Sequence, residues 1–130
     1  MKNSIINECL KTARNEISGH PEFSTNGYLH WSFIVQNNKI IGKGKNKIGK
    51  SRFTGFGYSP LSKIHSEVDV YCKVKGILNR ENFNILNIRL NKLGQLRLSK
   101  PCPCCTRFLI FMGCTVVYYT TDNGFLRIRL

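Results

Sequence analysis

The residue groups equipped for chemistry are His65-Ser66-Glu67 and Pro101-Cys102-Pro103-Cys104-Cys105. Cys102 and Cys105 stand three positions apart, and Pro103 suits the first position of a helix, so both sulfurs would point to one side of a first turn and share a tetrahedral metal. His65 supplies a third ligand if two helix N-termini meet, leaving a fourth position for water. Zinc suits two thiolates and an imidazole, because it accepts sulfur and nitrogen and has no strong angular preference of its own. Three protein ligands beside a carboxylate make a catalytic arrangement rather than a closed structural one. A helix N-terminus adds partial positive charge that favours thiolate over thiol.

Glu67 follows His65 by two residues, so it need not share the ligand direction and can face the water as a proton shuttle. Zinc would bring the pKa of that water from about 15.7 to roughly 7. A carboxylate that then moves the proton to a ring nitrogen and on to departing ammonia meets the needs of hydrolytic deamination, at carbon 4 of cytosine or carbon 6 of adenine.

The pair H-x-E and P-C-x-x-C is the signature of the zinc deaminases, and residues 28 to 130 resemble the cytidine and deoxycytidylate deaminase superfamily. The resemblance implies an α/β layered fold, a mixed five-stranded sheet flanked by helices. It also implies Zn2+ on His65, Cys102 and Cys105, with Glu67 as the catalytic residue. It marks Asn46, at the end of IIGKGKN, as a contact to the substrate sugar, and the backbone around Ile64, Ser66 and Pro101 as the holders of the base and its carbonyl. Ser99-Lys100 resembles the approach loop to the site. Two features depart from the pattern. Ser66 stands where many relatives carry alanine, and the sequence stops at Leu130 where many add a helix, which leaves substrate and assembly open. Homo-oligomers are common in this superfamily, and one is expected here.

Elements to position these residues are legible around them. Ile5, Ile6, Cys9, Leu10, Ala13 and Ile17 recur at helical spacing, and residues 18 to 21 end that helix. Leu29, Trp31, Phe33 and Val35 alternate as a strand, which turns at Asn37-Asn38 into a second strand over 40 to 45. Residues 46 to 63 read as a long loop, the kind that carries a binding or active site. Ile64, Val68, Tyr71, Val74 and Leu78 form a helical stripe, followed by a strand over 83 to 90 that Leu96 and Leu98 extend. A helix from Pro103 to Met112, a buried strand over 116 to 119 and a last strand over 125 to 130 complete the order.

With 130 residues, the sequence is expected to form one deaminase domain. Twenty Lys and Arg against seven Asp and Glu leave a charge of +13, which favours anionic partners. Lys43, Lys45, Lys47, Arg52 and Lys100 are candidates to contact phosphate or nucleic acid. Phe53 and Phe56, with Tyr58, are candidates to stack on or close over a base; His30 is a candidate to approach the site from the first strand, though nothing in its spacing requires it. Trp31, Phe33, Tyr118 and Tyr119 occupy strand positions and read as core. Cys9, Cys72 and Cys114 read as reduced core thiols, and Cys104 as a small filler between the ligands. Glu8, Lys11 and Arg14 interrupt any leader-like apolar stretch, and no run approaches 18 apolar residues, so a soluble cytoplasmic protein without membrane contact is expected.

The leading expectation is deamination of a cytosine nucleotide or nucleoside. Two others compete with it: deamination of cytosine or adenine within RNA or single-stranded DNA, and a zinc-stabilised nucleic-acid-binding protein without catalysis. Glu67 argues against the last, because a structural zinc needs no proton shuttle.

Overall fold

The computed structural model describes residues 1–19, 28–47, 49, 53–58 and 63–130. The elements run α1 (Asn3–Gly19), β1 (Tyr28–Gln36), β2 (Lys39–Lys45), a short 3-10 helix (Thr54–Phe56), α2 (Ser66–Val74), β3 (Phe83–Asn91), β4 (Leu96–Arg97), α3 (Pro103–Met112), β5 (Cys114–Thr121) and β6 (Gly124–Arg129). The sheet order is β2-β1-β3-β5-β6. The expected five strands form this path, and β4 is a sixth, two-residue strand paired with the end of β3, where Leu90 faces Leu96. Among the described strands only β3 and β5 pair in parallel, so the sheet is mixed.

Strand alternation sends one set of side chains to each face. Trp31, Phe33 and Val35 from β1 meet Leu86, Ile88 and Leu90 from β3 under Ile5, Cys9 and Ala13 of α1. The opposite face carries Ile34, Ile85 and Val117 beneath Val70 and Val74 of α2 and Phe108 and Leu109 of α3. The result is helix, sheet, helix in three layers. The β1–β2 hairpin closes through Asn37 and Asn38, at φ +54° and +59°, the left-handed pair a tight hairpin turn requires and asparagine tolerates.

Two expectations about the middle of the chain need correction. The stripe beginning at Ile64 predicts a helix from that residue, but Ile64 pairs with Lys47 in a β-bridge and α2 starts at Ser66. The bridge also shortens the expected 46–63 loop, because it ties both its ends to the sheet. His20 and Pro21, expected to end α1, lie outside the described residues, and the helix runs through Gly19. Among the described residues no helix is long and apolar enough to cross a membrane.

Candidate active site

β2 and β3 are both antiparallel to β1, so they run parallel to each other, and the start of α2, which follows β2, meets the start of α3, which follows β3 by way of β4. His65 occupies the N-cap position of α2 in extended backbone (φ −72°, ψ 151°). Cys102 occupies that of α3 (φ −66°, ψ 166°), with Pro103 next, and its sulfur accepts the Cys105 backbone N–H at 3.4 Å. The cap that starts α3 thereby aims one ligand and places the other a turn later.

His65 Nδ1 lies 3.7 Å from Cys102 Sγ and 3.4 Å from Cys105 Sγ, and the three donor atoms lie within 4.8 Å of one another. Zinc held tetrahedrally by such donors keeps a nitrogen and a sulfur about 3.6 Å apart, from bond lengths of about 2.0–2.1 and 2.3 Å. The two observed separations bracket that value, and one imidazole with two thiols is a donor set zinc accepts. The residues fit a zinc ion. A hydrogen bond from Cys105, and others from His65 and the Cys105 amide, bring Cys102 down to about 3, while the hydrogen bond to Cys102 and burial drive Cys105 up. Its hydrogen bond to the Cys102 sulfur raises the His65 imidazole against the opposing effect of burial.

Glu67 is buried beside this cluster, 5% exposed, and burial raises its carboxyl above the ordinary value. Asn87 Nδ2 donates to Glu67 Oε2 at 3.0 Å, and Ser66 Oγ donates to Oε1 at 3.1 Å. The other N–H of Asn87 reaches the Ser99 carbonyl at 3.2 Å, and its Oδ1 accepts from Ser32 Oγ at 2.7 Å. Gly44, Ser32 and Asn87 form one row across β2, β1 and β3, since Ser32 pairs with both of the others. Each has its reason. A Cβ on Gly44 would stand 2.4 Å from the Val70 nitrogen and 2.9 Å from the Ser66 carbonyl, so the missing side chain lets α2 lie directly on β2. Ser32 and Asn87 then fill the space below Glu67 with polar groups that satisfy one another.

A cleft of about 330 Å³ opens onto these groups. Of the expected residues it is lined by Asn46, Ile64, His65, Ser66, Glu67, Lys100 and Cys102, and by His30. Asn46 Oδ1 accepts the His30 backbone N–H at 3.0 Å. His30 is brought down to about 4 by burial, with Arg89 adding to the effect, so its ring is neutral at pH 7. Pro101 is buried at the entry to α3.

Other expected contacts lie elsewhere. Lys43 and Lys45 pair with Glu16 of α1, and Lys47 pairs with Asp69 of α2 at 2.7 Å, so these cations brace the β2 edge against the helices rather than line the cleft. Phe53 and Phe56 pack on Phe108 with ring centroids 4.9 and 5.5 Å away, and Phe53 also meets Tyr71. Their apolar rings pack against the core between α2 and α3 and are not part of the cleft lining. Tyr58 is likewise buried, with its hydroxyl on Cys105. Arg52 lies outside the described residues. Sequence reasoning missed Lys63 and Arg89 at the cleft, and Ser32 and Asn87 beneath it. The last two had a signal: each is a polar residue amid an apolar strand, WSFIV and ILNIRL.

No protein-family model and no curated protein matches the chain. Among solved structures, it is similar to the dCMP deaminase of cyanophage S-TIM5 in complex with dCMP and dUMP. The TM-score is 0.54 at 17% identity, over 88% of this chain and 79% of that one. The apo form of the same enzyme gives a TM-score of 0.52 at 18% identity, over 88% and 81%. The fold is therefore that of the cytidine and dCMP deaminases, and it carries a His/Cys/Cys cluster able to bind a metal.

Proposed function

We propose that the protein is a zinc-dependent hydrolase that deaminates a cytosine nucleotide or nucleoside, giving the uracil form and ammonia. The observation that carries this is Glu67: a buried carboxylate held by Asn87 and Ser66, beside a three-donor metal cluster at the base of a cleft. A purely structural metal site has no use for it. The cleft's 330 Å³ lies at the lower end of small-molecule pockets, about 300–1,000 Å³, and suits one base with its sugar.

In this reading His65, Cys102 and Cys105 hold the zinc, which when bound supplies Lewis acidity and a nucleophile of hydroxide strength at neutral pH. Glu67 takes one proton of the attacking water and delivers it to ring nitrogen 3; it then takes the remaining proton from the oxygen added at carbon 4 and gives it to the amine, which leaves as ammonia while the carbonyl forms. Its raised proton affinity suits a group that must both accept and return a proton. Asn46, its oxygen engaged by the His30 amide, turns its NH2 to the substrate sugar. Backbone groups around Ile64, Ser66 and Pro101 hold the base. Lys63, Arg89 and Lys100 supply positive charge for a phosphate. Self-association belongs to the same reading, supported by Ile110 and Phe111 of α3, 55% and 66% exposed.

One observation favours a second reading, a base within RNA or single-stranded DNA: Lys63 and Lys100 are exposed at the cleft of a chain with net charge +13. Ammonia release from zinc-loaded protein, measured on cytidine, deoxycytidine, CMP, dCMP, adenosine and short single-stranded RNA and DNA, tests both. Turnover of free cytosine compounds is expected. Turnover of polymers alone would replace the first reading by the second, and none on any substrate would overturn both.

A further inference from the structure

We propose that Tyr58 is a positioning residue of the metal site, its hydroxyl holding the sulfur of Cys105 and its ring holding the imidazole of His65. This rests on the reading of His65, Cys102 and Cys105 as metal ligands.

Tyr58 follows the 3-10 helix at Thr54–Phe56 and is 5% exposed. Its O–H donates to Cys105 Sγ at 2.7 Å, and its ring meets that of His65 edge-on, with centroids 5.1 Å apart at 66°. One side chain thus touches two of the three ligands. Tyr58 is not among the residues lining the cleft, so it stands behind the ligands, away from substrate, and acts through them.

The two sulfurs are served differently. Cys102 accepts the backbone N–H of Cys105, a donor built into the helix cap and available whatever side chain stands at 105. Cys105 is fully buried, and its donor is the Tyr58 hydroxyl alone among the contacts of the described residues that reach it from outside the cluster. Two thiolates together cancel the charge of a divalent ion. A donor on each sulfur withdraws part of the thiolate charge, fixes the sulfur's direction and leaves the metal more cationic. The fold provides one of these donors through its backbone, and the sequence provides the other at Tyr58.

The test compares wild type, Tyr58→Phe, and wild type carrying 3-fluorotyrosine at position 58, a stronger donor of nearly the same shape. Zinc affinity is read by chelator competition and thiolate charge by the sulfur-to-metal absorption band of the cobalt(II) form. Tyr58→Phe keeps the ring and is expected to weaken zinc binding about 10- to 100-fold and move the band to longer wavelength. Fluorotyrosine is expected to move it to shorter wavelength. Equal affinity within about twofold and an unmoved band in Tyr58→Phe would overturn the proposal. If that variant does not fold, an unmoved band with fluorotyrosine would do so. Wild type that binds neither zinc nor cobalt would instead remove the metal site itself, and this proposal with it.

Discussion

Replacing Asn87 by alanine should lower kcat/KM about 10- to 150-fold while zinc stays bound. Asn87 Nδ2 lies 3.0 Å from Glu67 Oε2, with Asn87 2% and Glu67 5% exposed, so the lost contact is a hydrogen bond to a charge in a dry site. Such bonds contribute about 1.5–3 kcal/mol, and each 1.4 kcal/mol is tenfold in rate when the carboxylate must be held in place to react. The same change leaves the Ser99 carbonyl without its Asn87 donor and costs about 1–3 kcal/mol of stability. Stability loss must therefore be separated from the catalytic effect. Ser32→Ala serves as the milder comparison, since it removes a partner of Asn87 Oδ1 and of Ser66 Oγ but leaves both direct hydrogen bonds to Glu67 in place. The assay is ammonia release at a temperature where all three proteins are folded, with zinc content measured on the same samples. Asn87→Ala should fall well below Ser32→Ala, and its activity on the acid side should fail at higher pH, because the ionised carboxylate has lost a donor. Equal kcat/KM for Asn87→Ala and wild type would refute the positioning of Glu67 through β3.

Gly44→Ala should destabilise the fold by about 1–3 kcal/mol in urea or thermal unfolding, because the new Cβ meets the backbone of α2 at 2.4 Å and the helix must shift; unchanged stability would mean that α2 does not lie on β2 at this point. Burial acts to raise Asp69, but hydrogen bonds from Lys47, the Lys45 amide and Lys73 outweigh it and hold the carboxyl below its ordinary value of 3.8. A depressed folded value means stability present above pH 3.8 and lost as pH falls through the lower folded value. The melting-temperature gap between wild type and Asp69→Asn should accordingly be widest near neutrality and close at acid pH, whereas a constant gap would contradict the linkage. Removing zinc with a chelator should lower the melting temperature, and His65→Ala should show no further loss on chelation, since ligand binding is coupled to folding.

Much of this fold is written in local pattern. The α1 stripe, the β1 alternation and the Asn37-Asn38 turn each satisfy a rule spanning a few residues, and the H-x-E and P-C-x-x-C motifs point directly to the three donors the fold gathers. What escapes such rules depends on distant partners. Lys43, Lys45 and Lys47 read as a phosphate track in sequence, and their ion pairs with Glu16 and Asp69 appear only when separate helices come beside β2. Phe53 and Phe56 look like stacking residues until Phe108 of α3 gives them a core to enter. Ile64 fits the helical period of α2, yet its backbone hydrogen bonds go to Lys47, which no periodicity reveals. Arg89 on β3 and Lys63 ahead of α2 come from distant parts of the sequence and meet only where both line the cleft. The polar row of Ser32 and Asn87 was visible as two anomalies in apolar strands, but its purpose appears only when Glu67 is seen above it.

The central claim is that Glu67 moves protons beside a metal held by other residues. It is tested most directly by measuring zinc content and ammonia release from cytosine compounds on wild type and Glu67→Gln side by side. The account predicts one zinc per chain in both proteins, with turnover reduced by about 10²- to 10⁴-fold in the variant. Equal turnover in the two zinc-loaded proteins would contradict it.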